Sequence, residues 1–185
     1  TISASRSSAA SVPTSTRPRP PDWSRIISAP TDTPDAEVQL FRSVEDYRRW
    51  AELRVEALVH ALRGLPEDRI RYHVCFGSWH VPHVADAQLE DIVDLMLKVR
   101  AGAYSIEAAN VRHEHEWYVW EKVKLPPGKI LIPGVVTHHT TTVEHPRLVA
   151  ERIVTFTKLV GRENVIAGTD CGFAQAQDMQ RVHPQ

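Results

Sequence analysis

The sequence contains only two cysteines, no long apolar run and no excess of charge of either sign. Two cysteines among 185 residues are too few for a disulfide scaffold, and they are compatible with one disulfide, a metal site or two unrelated thiols. No apolar run approaches the roughly 18 to 20 residues of a membrane-spanning helix. Lys and Arg number 22 against 23 Asp and Glu, so no broad basic surface for nucleic acid is expected. We therefore expect a cytoplasmic protein that binds neither nucleic acid nor membrane.

Residues 1–36 differ in composition from the rest of the chain. They are rich in Ser, Thr, Pro and Ala and carry almost no apolar periodicity, which predicts a disordered extension. Four arginines up to Ile27, against the single acid Asp22, also resemble an organellar targeting peptide, which is the minor alternative. Because the chain begins with Thr1 rather than Met, we interpret it as a processed product, a fragment or an incomplete sequence. The predicted division is an extension over 1–36 and one folded domain over 37–185.

From residue 37 onward, short apolar segments alternate with amphipathic ones. Strands are predicted, in chain order, at 37–41, 69–76, 103–108, 129–136 and 164–169. Helices are predicted at about 43–63, 89–97 and 113–122, and a capping box of Thr141 and Glu144 predicts a last helix that ends at Gly161. This alternation is typical of a parallel sheet built from βα units. A closed eight-stranded barrel needs roughly 250 residues, so about five strands predict a partial α/β barrel.

Reactive side chains follow four successive predicted strands, at the point where each strand ends. In chain order they are His73 and Cys75, then Glu107, then His138 and His139, then Asp170 and Cys171. In parallel barrels the active site is built at the carboxyl ends of the strands. This placement predicts that these groups share one site.

The pair His73 and Cys75 has the spacing of two ligands on one strand. Residues two apart on a strand face the same side, so both side chains can reach one ion. A second cysteine from another strand completes a set of one histidine and two thiolates, which suits zinc and leaves a fourth position for a substrate. Taken alone, the pair is more often two residues of the hydrophobic core than two metal ligands. Its position at a strand end makes the metal site an equal alternative.

Five segments of the chain carry a resemblance to a known family. They read RYHVCFGSWHVPH, RAGAYSIEAANVRHEHEW, KLPPGKILIPGVVTHH, VEHPRLVAERI and VGRENVIAGTDCGF. They resemble the catalytic domain of cobalamin-independent methionine synthases, and more closely the short bacterial branch that includes epoxyalkane:coenzyme M transferase. The similarity runs from about residue 45 to residue 183. It implies a TIM-type (β/α)8 barrel of the methionine synthase and uroporphyrinogen decarboxylase kind, of which this chain holds the C-terminal part.

The resemblance also implies roles for individual residues. His73, Cys75 and Cys171 match the ligands of Zn²⁺, and Glu107 matches the glutamate that occupies or approaches the fourth zinc position. His139 matches the histidine that manages a proton during transfer. The choice of His139 over the adjacent His138 rests on counting residues from Gly134 in PGVVTHH. Asp170, directly before the third ligand, is expected to support the site or to face the substrate.

The implied reaction is transfer of a methyl group from a polyglutamylated methyltetrahydrofolate to homocysteine, a reaction of methionine biosynthesis. Family members that use homocysteine carry an acidic residue directly after the strand that EVQL matches. This chain has LFRSVED there, which favours another small thiol, as in the coenzyme M transferases. A third possibility is a non-catalytic zinc-binding fragment, or a subunit whose complementary chain supplies the rest of the barrel.

Overall fold

The computed structural model describes residues 25–28, 43–77 and 86–173 of the chain. The strands are β1 (Arg25–Ser28), β2 (Ile70–Val74), β3 (Ala103–Ile106), β4 (Ile130–Val136) and β5 (Gly168–Thr169). The helices are α1 (Val44–Ala61), α2 (Leu89–Lys98), α3 (Val119–Lys122) and α4 (Pro146–Val160). All strand pairs are parallel, and the sheet follows chain order as a curled half-barrel. The predicted partial α/β barrel is confirmed.

The hydrophobic core lies between the sheet and the helices. Side chains of α2 at the spacing of one helix face are buried there, namely Leu89, Ile92, Val93 and Met96. From the sheet, the buried members include Ile70, Tyr72, Val74, Tyr104, Ile106 and Leu131. Burial of this apolar surface, at roughly 25 cal/mol per Å², is the main force that holds the helices on one side of the sheet.

The other face of the sheet carries the polar residues. Because successive side chains of a strand point to opposite faces, the three core residues of β2 leave Arg71 and His73 on the opposite side. On β3 the same alternation separates Ser105 from its core neighbours, Tyr104 and Ile106. The register pairs His73 with Ser105, so the two polar residues lie side by side. The alternation thus directs the chemistry-bearing side chains away from the helices.

The start of α4 differs from the prediction. The helix begins at Pro146, and its N-cap is His145, whose Nδ1 accepts a hydrogen bond from the Arg147 amide at 3.1 Å. The predicted capping box of Thr141 and Glu144 is therefore wrong. Instead of capping the helix, the Glu144 carboxylate binds the guanidinium of Arg152 and accepts a hydrogen bond from the Thr137 amide.

The first and last strands also differ from expectation. Strand β1 lies inside the segment 1–36 that composition predicts to be disordered, and it pairs with β2 from Arg25 opposite Ile70. Two adjacent isoleucines give this short stretch a β-forming character that its Ser- and Pro-rich surroundings conceal. The rest of 1–36 and the predicted strand 37–41 lie outside the described residues, so the domain division stays a prediction. Strand β5 is shorter than the predicted 164–169: Asn164 ends a 3-10 turn, and Val165 makes only an isolated parallel bridge with Leu131.

Candidate metal centre

Three of the four residues predicted to bind metal meet at the carboxyl ends of two strands. His73 lies near the end of β2, Cys75 directly follows that strand, and Cys171 lies two residues beyond β5. One ligand atom from each lies within 4.8 Å of the others. In the sheet, β3 and β4 separate β2 from β5, so the curl of the sheet brings their ends to one point. The structure therefore places together residues that are 96 positions apart in the chain.

His73 is held by one ring nitrogen and has the other buried. Nδ1 lies 3.1 Å from Oγ of Ser105. Nε2 is buried and has no hydrogen-bond partner among the described residues. Buried polar atoms are nearly always paired, and a ligating histidine usually has its second nitrogen fixed by a neighbouring group. The orphaned Nε2 thus fits the role of a metal ligand.

The two sulfur atoms lie 3.8 Å apart. Two thiolates that each bind a tetrahedral zinc ion at about 2.3 Å are separated by about 3.8 Å, so the observed spacing needs no rearrangement. The hydrogen bond between the sulfurs raises the pKa of Cys75, as does its burial. The same bond lowers the pKa of Cys171, and the neighbouring His73 lowers it further. The pair is therefore arranged to hold at least one negative charge.

Glu107 is a buried anion beside this cluster. Oε1 accepts a hydrogen bond from the Phe76 amide at 3.1 Å, and Oε2 lies 3.7 Å from Nε2 of His139. Burial alone would raise the pKa of Glu107, but the contacts with His139, the Phe76 amide and Cys75 lower it overall. Its ligand atom groups with those of His138 and His139, all within 4.8 Å of one another. Metal ligation by Glu107 stays a prediction.

His139 is fixed by Arg112. Nη2 of Arg112 lies 2.6 Å from Nε2 of His139 and 3.5 Å from Oε2 of Glu107. A guanidinium can only donate, so Nε2 of His139 accepts in this contact. Nη1 of Arg112 lies 2.7 Å from Oδ2 of Asp86. The tilted ring of His138 lies against that of His139 at 4.0 Å between centroids.

Asp170 is fully buried and faces the protein interior. Oδ1 accepts hydrogen bonds from the Ala108 and Ala109 amides at 2.7 and 2.8 Å, and Oδ2 accepts from Nδ2 of Asn110 at 3.1 Å. Burial is the main cause that raises the pKa of Asp170. The carboxylate therefore fixes the loop after β3, and its predicted catalytic role stays a prediction.

A second buried network lies behind the site. The ring of His113 stacks on Phe76 at 3.8 Å between centroids, and its nitrogens lie 3.3 Å from Asp86 and 2.9 Å from Glu116. Burial would lower the pKa of His113, but the two carboxylates raise it to about 9. The other oxygen of Glu116 accepts from the Leu89 amide at the start of α2. An imidazolium thus joins the loop after β3 to the segment that opens α2.

Sequence reasoning missed Ser105 and Asn110. The signal for Ser105 is its inward position on a strand next to His73, which becomes visible once the register of β2 and β3 is known. Asn110 is harder to find from the sequence, because its partners Glu107 and Asp170 follow two different strands and their proximity depends on the fold. A serine or an asparagine in a sequence does not by itself indicate a functional site.

None of the helices in the described part of the chain combines the length and apolar character needed to cross a membrane.

Residues 67–183 match the family model of the cobalamin-independent synthase catalytic domain. A B12-independent methionine synthase from a Shewanella species, solved in complex with selenomethionine, is 20% identical with a TM-score of 0.57, over 84% of this chain and 44% of that one. A protein from Listeria monocytogenes assigned as a vitamin-B12-independent methionine synthase is 19% identical with a TM-score of 0.46, over 67% and 35%.

The chain thus spans less than half the length of these two proteins. No curated protein matches it in sequence. The first likeness agrees with the curled parallel sheet described above. Because the family match covers more than half of the chain and includes all three residues of the ligand cluster, this chain belongs to the cobalamin-independent synthase catalytic domain family.

Proposed function

We propose that the chain carries the thiol-activating part of a zinc-dependent S-methyltransferase of the methionine synthase type. The observation that carries this proposal is the cluster of His73, Cys75 and Cys171 at the carboxyl ends of β2 and β5. One imidazole and two thiolates are a donor set that suits zinc, and three protein ligands leave the fourth position open to a substrate. The orphaned Nε2 of His73 and the sulfur spacing both support this assignment.

A zinc ion held there would supply Lewis acidity that keeps a substrate thiol deprotonated near neutral pH. In the proposed reaction the thiolate sulfur forms a bond to the methyl carbon of methyltetrahydrofolate. The bond between that carbon and N5 breaks, its electron pair stays on nitrogen, and the nitrogen takes up a proton. An amine is a poor leaving group, so the proton must be available near the site.

The residues around the cluster supply positioning and proton handling. Glu107 lies between the ligand cluster and His139, fixed by the Phe76 amide. Arg112 donates to Nε2 of His139 and fixes the imidazole ring beside Glu107. We assign His139 as the group that manages the proton and Glu107 as the carboxylate that approaches the fourth ligand position.

A second candidate is alkyl transfer to a different small thiol, as in the coenzyme M transferases. The segment after EVQL lacks the acidic residue that would hold the ammonium group of homocysteine. A small thiol without an ammonium group does not need that acid. The choice between the two thiols is therefore a question for direct measurement.

The first experiment measures zinc bound per folded chain in the purified protein. Wild type is compared with His73→Ala and Cys171→Ser, and His60→Ala serves as the matched control because His60 is exposed on α1. We expect one zinc ion per chain in wild type and control, and loss of zinc in the two ligand variants. A folded wild-type chain that binds no zinc would overturn the proposal.

The second experiment adds homocysteine or coenzyme M to the zinc-loaded chain and follows sulfur coordination by X-ray absorption. Methyl transfer from methyltetrahydrofolate is then assayed with the thiol that coordinates. Product formation supports the transferase. Zinc binding with neither thiol coordination nor turnover would instead support a non-catalytic zinc-binding chain or a subunit that needs a complementary chain.

A further inference from the structure

One buried amide joins the two carboxylates that border the candidate metal centre. Asn110 is 3% exposed and lies in the loop after β3. Its Nδ2 donates to Oε2 of Glu107 at 2.8 Å and to Oδ2 of Asp170 at 3.1 Å. Its Oδ1 accepts from the Arg112 amide at 3.1 Å. Both partners of Nδ2 are carboxylates, which accept only, so the orientation of the side-chain amide is fixed by chemistry.

Each carboxylate is attached to the surroundings of a different cysteine. Glu107 accepts through its other oxygen from the amide of Phe76, which directly follows Cys75. Asp170 directly precedes Cys171, and its amide donates to the Val136 carbonyl at 3.0 Å. The bridge through Asn110 therefore runs from the end of β2 to the end of β5.

The bridge also separates two like charges. Glu107 and Asp170 are 1% and 0% exposed, so neither carboxylate is screened by water. Two buried carboxylates in one site repel each other, so a hydrogen-bond donor between them favours the arrangement. A neutral side-chain amide with two N–H groups satisfies both carboxylates without adding a charge.

We propose that Asn110 is a positioning residue of the metal centre, and that its bridge between Glu107 and Asp170 sets how the two cysteine-bearing strand ends are spaced. This inference rests on the proposed metal binding by His73, Cys75 and Cys171. It assigns no contact between Asn110 and metal or substrate. Groups that orient metal ligands from behind typically contribute about 10- to 100-fold to metal affinity, which is the effect expected here.

The test titrates the metal-free full-length chain with Co²⁺ and records its ligand-field absorption, which reports coordination geometry. Asn110→Ala removes the bridge, and Asn110→Ser leaves one donor for two carboxylates. Asn164→Ala is the matched control, because Nδ2 of Asn164 donates to the Val160 carbonyl at 2.7 Å, at the end of α4. Folding of every variant is checked by circular dichroism.

We expect Asn110→Ala to weaken Co²⁺ binding about 10- to 100-fold and to shift the absorption bands, with a smaller change for Asn110→Ser and none for the control. A folded Asn110→Ala chain with the affinity and spectrum of wild type would overturn the inference while the proposed metal centre stands. If Asn110→Ala does not fold, the same comparison on Asn110→Ser decides. A wild-type chain that binds no Co²⁺ would overturn both proposals.

Discussion

Nδ1 of His73 lies 3.1 Å from Oγ of Ser105, and this contact leaves Nε2 as the ring nitrogen open to a metal ion. The two residues are direct neighbours in the parallel register of β2 and β3. The hydroxyl group can therefore hold the imidazole in one orientation without any movement of the backbone. A ligand oriented in advance loses less freedom when the metal binds.

Ser105→Ala is expected to weaken zinc binding about 10-fold or more, because the imidazole of His73 loses its orienting partner. The measurement is competition with a chromophoric chelator on the folded chain. Thr155→Ala is the matched control, since it removes an exposed hydroxyl group that donates to the Glu151 carbonyl on α4. Unchanged zinc affinity in Ser105→Ala would show that packing alone orients the ring.

Gly134→Ala is expected to destabilise the fold by about 1–3 kcal/mol or more, because the new methyl group has no space. A Cβ atom there would lie 2.0 Å from Oδ1 of Asp170 and 2.8 Å from its backbone nitrogen. Urea unfolding measures the free energy of unfolding. Gly172→Ala is the control, because no described atom lies within 4 Å of its Cβ position. Equal stability of the two variants would contradict the close approach of β4 and Asp170.

The sequence was sufficient to predict the order of strands and helices from residue 43 onward. The structure brings His73, Cys75 and Cys171 together as predicted, and metal binding by them stays a prediction. Apolar periodicity determines which segments pack, and the rule that parallel barrels place chemistry at carboxyl strand ends locates the reactive groups. Strand β1 was missed because its Ser- and Pro-rich surroundings conceal the two adjacent isoleucines, and β5 covers only two of the six residues predicted for it.

Side-chain networks between distant segments could not be predicted. Glu144 has the spacing of a helix cap, yet its carboxylate binds Arg152 and the Thr137 amide. Asn110 carries no sign that it joins Glu107 to Asp170, since the bridge depends on how far the sheet curls between β3 and β5. Local sequence rules describe neighbours along the chain, whereas these contacts depend on the three-dimensional path of the loops.

His113 is expected to make the stability of the fold depend on pH in the alkaline range. Its pKa is raised from 6.5 to about 9 by Asp86 and Glu116, so the folded state binds the proton more tightly than the unfolded state. The resulting stabilisation is fully present below about pH 6.5 and is lost as pH rises through about 9. Its upper limit is on the order of 3 kcal/mol.

The measurement compares the free energy of unfolding of wild type and His113→Gln from pH 6 to pH 10. The difference between them should shrink as the pH rises. His115→Gln is the matched control because His115 is exposed two residues further along the chain. A constant difference across this range would mean that His113 stabilises the fold without carrying a charge.

Among the charged residues of α4, Arg152 is expected to contribute most to the stability of the fold. Its guanidinium donates to the carbonyl oxygens of Val135 at 3.0 Å and Ala109 at 2.9 Å, and it pairs with Glu144 and Glu114. Arg152→Ala should lower the free energy of unfolding by about 3 kcal/mol, because it leaves the Glu144 carboxylate, whose side chain is only 9% exposed, without its counter-charge.

The matched control for Arg152 is Arg147→Ala on the same helix. Arg147 pairs with Glu151 at 3.1 Å, but the two side chains are 83% and 62% exposed, so this pair should contribute under about 1 kcal/mol. Urea unfolding of both variants compares the contribution of a largely buried ion pair with that of a solvated one. Similar small losses in the two variants would mean that water reaches Glu144, and that the loop between β4 and α4 is held by its backbone contacts instead.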